Sequence, residues 1–149
     1  MQGAWVLDLF AGSGRLGMEA LRRGAARVVF VERDPKLAET IRRHLIRAEL
    51  TGQAEVWRRD ALAAVRDLGS ASRRFDLILL DPPYGEGWIT RMLQAVVERG
   101  ILGPGGAIVA EGHWRDRPAE VRGLRVRREA RYGETALWYV ERSEGSTDI

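Results

Sequence analysis

The stretch Val6–Gly17 reads VLDLFAGSGRLG. Strand-forming residues run through an acidic position into a glycine-rich turn, and the amphipathic segment LGMEALRRG follows. This is the pattern of a buried strand, a tight loop and a helix, with Gly12 and Gly14 supplying backbone torsions that a side chain would block. Gly12, Gly14 and Gly17 also satisfy G-x-G-x-x-G, the spacing of a dinucleotide loop. Asp8 argues against that ligand. It stands at the mouth of the strand, where a pyrophosphate docks in a dinucleotide fold. A carboxylate about 5 Å from a phosphate charge costs roughly 3 kcal/mol at an effective dielectric near 20. A ligand carrying an ammonium and a sulfonium is attracted instead, so Asp8, Phe10, Gly12 and Gly14 suit S-adenosylmethionine better than NAD. On this stretch alone, a glycine turn with no ligand stays open.

Working outward, Arg27–Val31 (RVVFV) reads as a second buried strand, followed by Glu32 and then Asp34-Pro35, an N-cap and first-turn pair. Leu37, Ile41, Leu45 and Ala48 recur at helical spacing, and that helix fades at Thr51-Gly52. Ala54–Trp57 is a short third strand, Asp60 follows it, and Ala61–Leu68 is helical, with Gly69–Arg74 as a surface loop. Phe75–Leu80 (FDLILL) is apolar enough to be covered on both faces. It runs into Asp81-Pro82-Pro83-Tyr84, where two prolines end the strand. Trp88–Arg99 is a further amphipathic helix; Gly100–Gly106 reads as a turn into a fifth strand, Ala107–Ala110. After the polar stretch Gly112–Arg122, Leu124–Arg131 and Ala136–Glu141 flank the turn Tyr132-Gly133-Glu134 as an antiparallel hairpin at a sheet edge. Residues 1–142 form one domain, and Ser143–Ile149 reads as a frayed tail.

Composition narrows the chemistry. The 149 residues are 45% hydrophobic, enough for one core. There is no cysteine, which excludes disulfides, thiolate metal sites and a cysteine nucleophile. No run is long enough to span a membrane and no signal-peptide layout opens the chain, so a cytoplasmic protein is expected. Lys36 is the sole lysine in a chain of formal charge +3. GC-rich coding is the simpler account of so many arginines, although arginine also suits phosphate recognition and keeps nucleic acid open as a partner. His44 and His113 are isolated and lack metal-ligand spacing, so no metal is expected.

Alternating strands and helices imply a mostly parallel sheet with helices on both faces and a ligand beyond the carboxyl ends of the strands. Asp8, Glu32, Asp60 and Asp81 each stand at such an end and should ring one crevice. Glu32 is placed to accept from ribose hydroxyls. Asp60 is equally well read as an N-cap or as an acceptor for an adenine amino group. At Asp81–Tyr84, acceptors on Asp81 and the Pro82 carbonyl can bind both hydrogens of a base's exocyclic amine and free its delocalised lone pair. The prolines fix those acceptors, and Tyr84 offers a stacking face for an extruded base.

DLFAGSG, the ribose-side acid and DPPYG resemble the class I S-adenosylmethionine-dependent amino-methyltransferases. LDLFAGSGRLGMEALRRGA, FDLILLDPPYG and RYGETALWYVER are most similar to the bacterial small-subunit ribosomal RNA guanine-N2 methyltransferase family (RsmD), over essentially the whole chain. The resemblance implies a Rossmann-like α/β fold with a seven-stranded sheet ending in a reversed hairpin. It implies that Asp8, Phe10, Gly12, Gly14, Glu32, Asp60 and Ala61, with the neighbours Ala11 and Arg33, line the cofactor. Asp81, Pro82, Pro83 and Tyr84 become the catalytic loop, and Arg15 joins Tyr84 in meeting the substrate. The implied reaction is methyl transfer from S-adenosyl-L-methionine to the N2 amine of a guanine in 16S ribosomal RNA, free or within a small-subunit particle. Members usually carry a basic extension before the first strand; here that strand begins after about five residues, which shifts RNA holding to Arg15 and the arginines of Arg115–Arg131 or to an extension outside this sequence. The alternative is an amino-methyltransferase acting on DNA adenine or cytosine, or on a protein glutamine. A nicotinamide enzyme or non-catalytic cofactor-binding module ranks third.

Overall fold

The computed structural model describes residues 1–143; positions 144–149, most of the expected tail, lie outside the described residues. Ser143 itself is fastened by its N–H to the Gly123 carbonyl at 3.1 Å. Seven strands form one sheet: β1 (Trp5–Leu9), β2 (Arg27–Val31), β3 (Ala54–Trp57), β4 (Phe75–Leu80), β5 (Leu102–His113), β6 (Leu124–Tyr132) and β7 (Thr135–Arg142). Four α-helices connect the first five: α1 (Arg15–Arg22), α2 (Pro35–Arg47), α3 (Ala61–Ser70) and α4 (Trp88–Arg99). The spatial order is β3-β2-β1-β4-β5-β7-β6. The first five strands are parallel, and β7 runs antiparallel to both β5 and β6. No helix among the described residues is long and apolar enough to cross a membrane.

Alternation along the strands assigns each helix to a face. Val6, Val28 and Phe30 point toward Met18 and Leu21 of α1 and Ile41 and Leu45 of α2. Their neighbours Leu7, Leu9, Val29 and Val31 face the opposite layer, with Val65 and Leu68 of α3 and Met92 and Val96 of α4. Trp138 of β7 extends that second core and is fully buried; its indole N–H donates to Glu129 at 2.7 Å. The chain winds outward from β1 through β3, then returns to place β4 on the other side of β1. That reversal opens a crevice between the carboxyl ends of β1 and β4.

The main departure from the sequence reading lies in β5. Gly100–Gly106 is not simply a turn: β5 begins at Leu102, paired with Phe75, and the register then jumps to Ala107 opposite Leu77. The surplus residues bulge within the strand. Glycine makes this possible, because a Cβ at Gly106 would stand 2.9 Å from the Gly103 carbonyl oxygen and 3.1 Å from that of Asp76. Strand β5 also continues through Gly112 and His113, into the stretch expected to be irregular, because β7 pairs with it as far as Thr135. Helix α3 runs two residues beyond Leu68, whereas α2 ends earlier than Thr51, at Arg47.

Gly17 controls how closely α1 approaches the sheet. A Cβ there would lie 2.3 Å from a ring carbon of Phe30 and 3.0 Å from Asp8 Oδ2. Phe30 is fully buried and has nowhere to move. Gly17→Ala should therefore cost about 1–3 kcal/mol of stability by overpacking, measured by urea unfolding. Gly52→Ala, with nothing within 4 Å of its added carbon, should leave the unfolding midpoint nearly unchanged.

Candidate active site

The glycine loop is pinned at both ends by carboxylates. Asp8 is buried at the end of β1, and its Oδ2 accepts the Gly17 N–H at 3.1 Å. Glu32, just after β2, accepts the Gly12 N–H at 2.8 Å through Oε1 and the Asp34 N–H at 2.8 Å through Oε2. Just before Gly12, Phe10 adopts φ +61°, a left-handed conformation costly for an aromatic residue. Gly14, at φ +85°, turns the chain into α1. Phe10 is braced edge-on by Trp88 at 5.8 Å.

A cleft of about 850 Å³ opens beyond the carboxyl ends of the strands. Of the expected cofactor residues, Phe10, Glu32, Arg33, Asp60 and Ala61 line it, and Pro83 of the proposed catalytic loop does so as well. Leu37 and Trp88 add apolar wall, while Glu86, Lys36 and Arg59 add charge. Asp60 caps α3 by accepting the Ala63 N–H at 3.1 Å, so its N-cap reading is realised while it also borders the cleft. Asp8, Ala11, Gly12 and Gly14 do not line this cleft. Asp8 lies beneath the loop and shapes it from below. Arg15 borders a separate hollow of about 440 Å³ with Ser13, Met18, Arg22, His44 and Arg47.

The acids nevertheless form one electrostatic group. Burial pushes the Asp8 carboxyl up to about 7, with Asp81 and Glu32 adding repulsion; the Gly17 N–H and Arg15 pull the other way. Desolvation by the surrounding protein, and then the charge of Glu111, raise Asp81 to about 6 against the pull of Arg15, although its surface is exposed to solvent. Asp81 follows Leu80, which pairs with Ala110, so Glu111 is its neighbour on the next strand. Among the described residues, no donor bonds or pairs with the Glu111 carboxylate. This residue escaped the sequence reading because only the parallel register of β4 and β5 brings it beside the D-P-P-Y loop.

That loop has its own fastenings. Gly85, Glu86 and Gly87 are all left-handed, turning the chain sharply into α4. The Gly85 N–H donates to Asp116 Oδ2 at 2.9 Å, tying the loop to the segment after β5. Tyr84 remains 62% exposed, and its ring meets His113 edge-on at 5.9 Å. His113, expected to be isolated, is therefore part of the site's surroundings. An exposed aromatic, a neighbouring carboxylate pair and a rigid proline turn are suited to holding a flat base with donor groups on its edge.

Residues 1–141 match the family described as conserved hypothetical protein 95. YlbH of Bacillus subtilis, named as a candidate rRNA methyltransferase, is 42% identical over 133 residues, covering 88% of this chain and 72% of YlbH. Ribosomal RNA small subunit methyltransferase D of Haemophilus influenzae is 34% identical over 113 residues, 75% of this chain and 58% of that protein. Among solved structures, YhhF of Escherichia coli, named as a candidate methyltransferase, superposes with a TM-score of 0.86 at 27% identity, covering 95% of this chain and 78% of YhhF. The chain belongs to the conserved hypothetical protein 95 family and is a Rossmann-like methyltransferase similar to small-subunit ribosomal RNA methyltransferase D.

Proposed function

We propose that this chain transfers a methyl group from S-adenosylmethionine to the exocyclic N2 amine of a guanine in small-subunit ribosomal RNA. The observation that carries the reading is the placement of Asp81, one residue past β4, next to Glu111 of β5, in the loop that presents the exposed Tyr84. Guanine presents the N2 amine next to N1–H, so two adjacent acceptors match two adjacent donor groups. Adenine and cytosine place a ring-nitrogen acceptor beside their amines and would face the second carboxylate lone pair to lone pair. The names of the relatives support ribosomal RNA as the substrate class.

The cleft fits the methyl donor in size and donor set. Glu32 and Asp60 supply acceptors for hydroxyl and amino groups, Phe10, Leu37 and Trp88 supply apolar surface, and Asp8, beneath the glycine loop, favours a cation nearby. The cofactor contributes an electrophilic methyl group on a sulfonium. The chain's own part is positioning. Asp81 accepts from the target amine and draws its lone pair out of conjugation, while the Pro82–Pro83 turn holds that acceptor still. Tyr84 stacks on the base, and Asp81 offsets the positive charge that grows on nitrogen. Because the amine becomes acidic only as it is alkylated, its surplus proton can pass to water and no strong base is needed at this loop.

The raised Asp8 pKa gives a test of the cofactor assignment. An acid with a folded pKa near 7 is largely protonated at about pH 6.5, and a cation brought near it lowers that pKa and expels the proton. Calorimetry in buffers of different ionisation enthalpy should show proton release on binding S-adenosylmethionine. The demethylated product, which lacks the sulfonium, should release fewer protons, and Asp8→Asn should abolish the difference. Equal release with both ligands, or tighter binding of NAD, would remove the cofactor from this reading.

The reaction itself is tested on Asp81 and Glu111. Asp81→Ala should lower turnover by about 10²–10³, the usual loss of one preorganised transition-state partner, with cofactor affinity nearly unchanged. In the wild type the rate should rise with pH through about 6 as Asp81 ionises. Glu111→Gln should slow guanine methylation roughly tenfold or more, the worth of one charged hydrogen bond. Mass spectrometry of digested RNA should find N2-methylguanine; methylated adenine or cytosine, or full activity in Asp81→Ala, would overturn the assignment.

A further inference from the structure

The arginines of the C-terminal half are not equally available to a ligand. Arg125 and Arg127 both reach Glu141, at 2.6 and 3.9 Å, and Arg117 reaches Glu129 at 3.1 Å. Arg115 and Arg131 differ. Among the described residues neither guanidinium has a carboxylate partner, and both lie over the ring of Trp114, at 5.0 and 4.2 Å from its centroid. Two like charges gathered on one indole repel each other, and an anion between them relieves that repulsion.

This pair is fastened to the D-P-P-Y loop. Trp114 stacks on His113 at 5.8 Å, and His113 meets Tyr84 at 5.9 Å. His113 is locked by its own bonds: Nδ1 accepts the Arg115 N–H at 3.0 Å, which leaves the ring proton on Nε2 to face Glu134 Oε1 at 2.8 Å. Asp116, in the same short turn, accepts the Gly85 N–H. The paired arginines and the base-stacking tyrosine therefore belong to one braced unit, two ring contacts apart.

We propose that Trp114 holds Arg115 and Arg131 as a clamp for backbone phosphates of the RNA strand, next to the nucleotide whose base lies on Tyr84. This rests on the proposed RNA substrate and adds which residues grip the strand. Trp114 is a positioning residue: it orients the two cations and touches no reacting atom. Arg125 and Arg127, committed to Glu141, and Arg117, committed to Glu129, contribute little to the grip, and Arg128 lies over a different ring, that of Tyr139.

The test is anisotropy of a labelled, guanine-containing single-stranded RNA titrated with the cofactor-free chain across a salt series. The double variant Arg115→Ala/Arg131→Ala should lower the slope of log affinity against log salt by about 1.4, two phosphate contacts at ~0.7 each. Trp114→Ala keeps both charges but loses their platform, and should weaken binding about three- to tenfold; Trp114→Phe should recover most of that loss. Calorimetric affinity for S-adenosylmethionine should match the wild type in every variant. An unchanged slope in the double variant overturns the clamp, as does loss of cofactor binding in Trp114→Ala, which would make the indole a general structural support. If the wild type binds no RNA, the clamp and the RNA substrate fall together. If it methylates guanine in RNA while the double variant grips RNA normally, only the clamp falls.

Discussion

The hydrogen bond from Gly17 N–H to the buried Asp8 carboxyl is the joint on which the site depends. A carboxyl group taken out of water is costly unless a donor meets it, and the first turn of a helix has unpaired N–H groups to offer. The bond forms only because Gly17 has no Cβ, so α1 can settle against Phe30 and Asp8 together. Glu32 repeats the device at the other end of the loop, through Gly12. Just ahead of this held segment, Phe10 keeps a left-handed conformation and forms part of the cleft wall.

The same burial that makes Asp8 structural makes it responsive to charge. Asp8, Glu32, Asp81 and Glu111 fall at the carboxyl ends of four neighbouring strands, on the side of the sheet opposite the Leu9 and Leu80 core. Desolvation, with their mutual repulsion added to it, raises the pKa of Asp8 and Asp81. The cleft beside them is consequently poised to favour a cation. Acids held close together at raised pKa are the kind of arrangement found at functional sites.

The C-terminal hairpin has a second role beyond closing the sheet. Strand β6 lies at the edge and is almost wholly exposed, its arginines discouraging further strand pairing. Strand β7 buries Trp138 and extends the pairing of β5 to His113. That extension carries His113, Trp114 and Asp116 up to the D-P-P-Y loop, where the Gly85 bond seats the turn.

Local sequence determined the elements. Continuous apolar runs, the Asp34-Pro35 start of α2, the double proline after Leu80 and the helical spacing beyond it are signals carried by nearby residues, and β2, β3, β4 and α4 lie where those signals place them. The loop glycines and Asp8, Glu32, Asp60 and Asp81 were likewise legible, because a parallel α/β sheet delivers strand ends to one side. Sequence could not decide what each acid touches. Asp8 and Glu32 spend oxygens on backbone N–H groups, and the bulge in β5 looked like a turn because glycine and proline serve both purposes. Nor could it reveal Glu111 beside Asp81, or His113 beside Tyr84, since these pairs are separated by some thirty residues and meet only through strand register and the Asp116 tie. Backbone propensity is local, but the company a side chain keeps is set by packing, and that the tertiary structure alone decided.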